Sequence, residues 1–137
     1  MSEHNEKVNE IKKLFTKLKL PNLPPHIVYC KAYRPDACTR IDHGFIVIEY
    51  INSVDRFNWD IGGLTLLLLH KDIIDYAVAV LSEKVYKEYK DLLIKIKKYR
   101  NPILEKLVIL REDELENWLR EKKEQSKLWK PEELIVK

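Results

Sequence analysis

Two carboxylates, Asp36 and Glu49, fall within a short stretch that reads as a β-hairpin. Arg34-Pro35-Asp36-Ala37 leads into a polar turn, and Phe45-Ile46-Val47-Ile48-Glu49-Tyr50-Ile51-Asn52 follows it. His43-Gly44 suits a two-residue loop, a form that wants positive φ and so favours Gly. In that register Asp42 faces Phe45, Cys38 faces Glu49, and Asp36 faces Ile51. Side chains alternate along a strand, so Asp36 and Glu49 share a sheet face on diagonal positions whose side chains converge. Two carboxylates on one rigid hairpin make an oxygen-rich site for a hard divalent cation such as Mg²⁺.

The elements around the hairpin must hold that pair. Residues 3–19 predict a helix, because Val8, Ile11, Leu14, Phe15 and Leu18 recur at helical spacing. Glu3, Glu6 and Glu10 lie off that stripe. Leu20-Pro21-Asn22-Leu23-Pro24-Pro25 stops the helix and stiffens the connection. Ile27 to Tyr33 predicts a first strand, and the hairpin supplies two more. A helix follows from about Arg56 or Trp59 to His70, with Gly62-Gly63 either weakening it or permitting close packing. Asp72 to Asp75 reads as a turn. Tyr76 to Leu81 lacks alternation, as a strand covered on both faces does. Ser82 suits the N-cap of a helix running to about Tyr99, with Val85, Tyr89, Leu92, Leu93 and Ile96 inward. Asn101-Pro102 ends it. Leu104 or Lys106 to Leu110 is a last strand, and Glu112 to about Lys123 a last helix with Leu115, Trp118 and Leu119 facing in. The order α-β-β-β-α-β-α-β-α predicts an α/β fold: a mixed β-sheet flanked by helices. A single domain over residues 1–124 is expected. The tail 125–137, with Trp129 and Leu134-Ile135-Val136, would pack on the body or on a partner subunit.

At 137 residues, with 45% hydrophobic and 34% charged, the chain has the composition of a globular domain, not a disordered one. The net charge of +3 is too small to argue nucleic-acid binding by itself. The N-terminus carries no signal-peptide pattern, and the apolar run Leu64 to Leu69 is far too short to span a bilayer. An intracellular, cytoplasmic protein is expected. Cys30 and Cys38 lack metal-ligand spacing and read as buried thiols rather than a disulfide. Richness in Lys, Glu and Ile, with Gln125 the single glutamine, leans towards a thermophilic source.

Pro35-Asp36, the apolar strand ending at Glu49 and the element order together resemble the PD-(D/E)xK nuclease superfamily. That group includes restriction endonuclease-like enzymes and archaeal Holliday-junction resolvases, alongside small viral and plasmid nucleases. The likeness covers roughly residues 5–120. It implies a Mg²⁺- or Mn²⁺-dependent endonuclease that hydrolyses phosphodiester bonds of DNA, branched or single-stranded, and commonly works as a homodimer. It also implies Asp36 and Glu49 as metal ligands, the carbonyl of Tyr50 as a further oxygen ligand, and an acidic residue from the first helix, with Glu10 ahead of Glu6. One element departs from the pattern. The family's lysine, two residues after the glutamate, is Ile51 here. Lys31 or Lys71 could supply a relocated ammonium, Asn52 could orient water after a local bulge, and Arg34 or Arg40 could supply charge. Otherwise catalysis is lost, and the chain is a nucleic-acid-binding or assembly module on the same fold, with Trp118, Trp129 or the tail as interface.

Other features take bland readings first. Lys84, Lys87 and Lys90 belong to a lysine-rich helix that is either a solvated face or a phosphate-contacting surface. Phe57 and Trp59 could stack on bases, although burial against the sheet is their expected role. His4, His26, His43 and His70 are scattered; His43 reads as a turn residue and His70 as a cation at a helix C-terminus.

Overall fold

The structure is a computed structural model describing residues 2–25, 33–70, 72–98 and 105–126, without the side chains of residues 70 and 96–98. Helix α1 (Glu3–Lys17) starts at Ser2, whose side chain accepts from the Asn5 amide at 3.2 Å. It buries Val8, Ile11 and Phe15, which are three and four residues apart along one stripe. Its end is closed by paired bonds, Lys19 N–H to Thr16 O at 3.1 Å and Leu20 N–H to Phe15 O at 2.8 Å. Lys19 takes the left-handed position, φ 59°, that glycine more often fills.

Strands β1 (Ala37–Arg40) and β2 (Phe45–Ile51) pair antiparallel. After a single 3₁₀ turn at Val54–Arg56, helix α2 (Phe57–His70) crosses to β3 (Ile74–Leu81), which lies parallel to β2. Helix α3 (Glu83–Lys98) crosses to β4 (Leu107–Arg111), parallel to β3. A 3₁₀ turn at Glu112–Glu114 and helix α4 (Leu115–Gln125) complete the described chain. The sheet order is β1-β2-β3-β4. The result is a single-domain α/β protein with a mixed sheet and, among the described residues, four flanking helices, an arrangement consistent with a restriction endonuclease-like fold.

The alternation of β1 and β2 divides the core between the two sheet faces. Cys38, Val47, Ile51, Ala77 and Leu81 pack against Leu64 and Leu67 of α2 and Val85 and Leu93 of α3. Ile46, Ile48, Tyr50, Val78 and Val80 pack against Val8, Ile11 and Phe15 of α1 and Leu115 and Leu119 of α4. The central strand β3 is thus covered on both sides, which accounts for its unalternating sequence. Cys38 is a free buried thiol whose pKa burial pushes up to about 12. Among the described residues no helix is long and apolar enough to cross a membrane.

Several expectations are corrected. Cys38 faces Val47, not Glu49, and Arg40 faces Phe45, so the hairpin loop is Ile41–Gly44 and the register differs by two residues. A two-residue shift leaves every side chain on its expected face. Gly44 has no positive φ. It is needed because the chain runs tight against the start of β3: a Cβ there would lie 2.3 Å from Asp75 Oδ1 and 2.8 Å from Ile73 O. Its amide donates to Asp75 Oδ2 at 3.1 Å. Strand β3 accordingly begins at Ile74, inside the expected turn. Ser82 precedes α3, but its hydroxyl is buried without a partner among the described residues, so it does not cap the helix. Leu92 is 44% exposed, facing out from α3. Ile27 to Ala32, the ends expected near Tyr99 and Leu104, and the tail from 127 onward, including Trp129, lie outside the described residues, as do His26, Cys30, Lys31 and Lys71.

Candidate metal centre

Near the carboxyl end of β2, Asp36 and Glu49 meet as the hairpin implies. The Asp36 amide donates to Glu49 Oε1 at 3.0 Å, and the Tyr50 amide donates to Asp36 Oδ2 at 2.8 Å. These bonds fix both carboxylates from the main chain, so neither depends on a flexible partner for its position. A third group arrives from α1, where His4 Nε2 lies 3.1 Å from Asp36 Oδ2. One ligand atom from each of His4, Asp36 and Glu49 falls within 4.8 Å of the others. With its proton, His4 Nε2 donates to the carboxylate; without it, the nitrogen lone pair is available to a cation.

The sequence contained the signal for His4. It stands four residues before Val8 on the stripe His4, Val8, Ile11, Phe15, which faces the sheet. Glu6 and Glu10 lie off that stripe and are carried elsewhere. Glu10 lines a separate cavity, where Lys7 Nζ stands 3.7 Å from its carboxylate. Among the described residues the group that could hold a metal ion draws on His4 from the first helix, and neither Glu10 nor Glu6 belongs to it.

Behind the pair stand Tyr33 and Asp60. The stripe Phe57, Asp60, Leu64, Leu67 is the inward face of α2, and it carries Asp60 into the interior at 3% exposure. Tyr33 O–H donates to Asp60 Oδ1 at 3.2 Å. Gly63 makes room for that ring: a Cβ would lie 2.0 Å from Tyr33 Cδ1. Glu49 is 6% exposed. Burial pushes its carboxyl up to about 9, with the nearby Asp36 and Asp60 adding to the shift. The Tyr33 hydroxyl opposes it, but one hydroxyl hydrogen cannot serve Asp60 and Glu49 at once. Burial also raises Asp60, while the Arg56 guanidinium, 3.7 Å away, pulls it down.

These groups open onto a cavity of about 600 Å³. His4, Asp36, Glu49 and Asp60 line it together with Arg34, Arg56 and Trp59. Trp59 is 62% exposed, against the expectation that it would be buried; it lies off the inward stripe of α2, whereas Phe57 is buried and stacks on Tyr89 at 3.9 Å. Ile51 is 1% exposed in the core between β2 and α2, so position 51, two residues after Glu49, is closed to solvent. No lysine lines the cavity among the described residues; Arg34 and Arg56 are the arginines that do. The sequence alone does not mark Arg56 as a site residue, because one arginine in a polar turn carries no pattern.

The remaining expected residues are dispersed. Arg40 shares the Asp36 side of β1 but sits at the hairpin loop, donating from Nε to Asp42 O at 3.1 Å with its guanidinium over the Phe45 ring. Lys84, Lys87 and Lys90 are exposed on α3, away from the cavity lining, and Lys87 stands 3.9 Å from Glu83. At the site Tyr50 presents its amide to Asp36, and its hydroxyl donates to Glu112 on the other face. Trp118, offered as an exposed interface residue, is half-buried with its ring edge-on to Tyr76 at 5.3 Å. His43 is exposed in the loop, as expected of a turn residue. Comparison of the chain with family models, with curated proteins and with solved structures gives no match.

Proposed function

We propose that this chain is a divalent-metal-dependent nuclease of the PD-(D/E)xK type, acting on phosphodiester bonds of nucleic acid. The convergence of His4, Asp36 and Glu49 in the lining of the cavity carries this reading. The donor set fits a cation. It offers carboxylate oxygens and an imidazole nitrogen, and its carboxylates, Glu49 buried and Asp36 half-buried, lie close to one another, where a bound dication would offset their mutual repulsion. A mixed nitrogen and oxygen set suits Mn²⁺ better than Mg²⁺, which prefers oxygen ligands.

The roles follow from position. Asp36 and Glu49 would hold the metal, oriented by the amides that fix them, and His4 Nε2 would complete the set. When bound, such a metal polarises a phosphate oxygen and makes water a stronger nucleophile at neutral pH. Arg56 and Arg34 line the same cavity and would balance the charge of a phosphodiester, the task the family gives its lysine. Arg56 has the better support, since its pairing with buried Asp60 ties it to the wall. An arginine can offset charge but remains protonated, so it cannot itself take a proton from water.

A second reading has its own observation. Ile51 is buried and the described cavity lining has no lysine, which favours a nucleic-acid-binding or assembly module that has lost cleavage. A cleavage assay on single-stranded, duplex and branched DNA with Mg²⁺ or Mn²⁺ separates the two. The nuclease reading expects cleavage that Asp36→Ala abolishes while the circular dichroism spectrum is unchanged. Salt-dependent binding without cleavage of any substrate supports the module. DNA as partner and a homodimer that cuts two strands belong to the nuclease reading; sedimentation at several concentrations tests the dimer.

A further inference from the structure

The side chain of Trp59 has no role in the core. It is 62% exposed in the first turn of α2, yet it lines the same cavity as the carboxylates. Arg56 stands three residues earlier and lines the cavity as well. Its partner Asp60 is on the inward stripe of α2, and the start of α2 thus contributes an indole and a guanidinium to the lining of one space. The two groups match the two chemistries of a nucleotide: a flat π-face and an anionic phosphate. An indole stacks on any base and so does not depend on sequence. In an intact duplex both faces of each internal base are already covered by its neighbours, so an indole can stack only on a base that has left the helix or was never in one. The cavity volume of about 600 Å³ lies within the range of sites that enclose small ligands.

We propose that the site selects a nucleotide whose base is unpaired, with the base on Trp59 and its phosphate directed by Arg56 towards the His4-Asp36-Glu49 cluster. The substrate class is single-stranded nucleic acid, or an unpaired segment within a branched one. This deepens the nuclease reading and rests on it for the chemistry, but the base contact stands on Trp59 and is measured without the metal.

Binding is followed by fluorescence anisotropy on the full chain, in EDTA and again in Ca²⁺, at one fixed salt concentration. The probes are a short labelled oligothymidylate, the matching oligouridylate and a blunt duplex of the same length. Single strands are expected to bind about tenfold tighter than the duplex, and Trp59→Ala to lose about tenfold on single strands. Trp59→Phe should keep part of that affinity, and duplex binding should not move. Tighter binding of thymidylate or of uridylate assigns DNA or RNA within the same class. Equal affinity for single strand and duplex overturns the inference, and so does unchanged single-strand binding by Trp59→Ala. Calorimetric titration of the wild-type chain with Mn²⁺ separates the two readings. No heat of Mn²⁺ binding, with Trp59-dependent binding intact, rejects the metal centre and leaves this inference standing. Normal Mn²⁺ binding, with no effect of Trp59→Ala, does the reverse.

Discussion

His4 Nε2 lies 3.1 Å from Asp36 Oδ2, bringing together residues 32 apart in sequence. The contact joins the first turn of α1 to the start of β1. It turns a carboxylate pair into a three-residue cluster with both nitrogen and oxygen donors.

Replacing His4 tests whether that nitrogen is a ligand. His4→Gln keeps a polar group in the exposed first turn but removes the imidazole. Mn²⁺ affinity by calorimetry should fall on the order of tenfold or more, since even supporting groups around a metal contribute that much. Mg²⁺ affinity should fall less, because Mg²⁺ gains little from nitrogen. Equal losses for the two ions would argue that His4 merely props Asp36.

Glu49 should make the metal-free protein sensitive to pH. Its carboxyl is raised to about 9 in the folded state by burial, Asp36 and Asp60, against about 4.3 when unfolded. Between those values the folded chain holds a proton that the unfolded chain has released, so stability falls as pH rises. One proton gives at most about 1.4 kcal/mol per pH unit. Asp60 is raised as well and adds to the slope in the same direction. Urea unfolding in EDTA from pH 5 to 9 should show the decline, and Glu49→Gln should flatten most of it. An equal slope in Glu49→Gln would place the titration elsewhere.

Placing a lysine at position 51, where the PD-(D/E)xK pattern has one, should not help. At 1% exposure, Ile51 sits among Val47, Phe57 and Leu81, and an ammonium there would be desolvated without a partner. Ile51→Lys should be strongly destabilised, by about 3 kcal/mol or more, with no gain in cleavage. Near-native stability together with faster cleavage would show that the side chain reaches the cavity after all.

The adjacent glycines of α2 should respond oppositely. Nothing lies within 4 Å of a Cβ at Gly62, whereas at Gly63 a Cβ meets the Tyr33 ring. Gly62→Ala should stabilise by about 1 kcal/mol through helix propensity. Gly63→Ala should cost about 1–3 kcal/mol by overpacking, and should displace Tyr33 from Asp60. Thermal unfolding of both variants checks the pair; stabilisation by Gly63→Ala would mean that Tyr33 does not rest on Gly63.

The sequence carried more of the fold than of the site. Helical spacing in α1, the unalternating apolar run in β3 and the Asp36/Glu49 parity all follow from local periodicity, and each is present in the structure. Parity survived the wrong hairpin register because the difference was two residues rather than one. What stayed hidden depends on tertiary approach. Gly44 reads as a turn glycine until Asp75 and Ile73 are seen against it. Asp60 reads as a polar residue at a helix start until the inward stripe of α2 is traced through it. His4 was legible in principle as the first residue of the α1 stripe, but a search for a third carboxylate favours Glu10. Trp59 reads as core by residue type and is exposed because its position is off that stripe.

The most direct test is to locate Mn²⁺ in a crystal of the full chain grown with the ion, from anomalous scattering. The expected result is a peak within coordinating distance of His4 Nε2 and the Asp36 and Glu49 carboxylates, absent in Asp36→Ala. No peak at that cluster at saturating Mn²⁺ would contradict the metal centre and, with it, the nuclease reading.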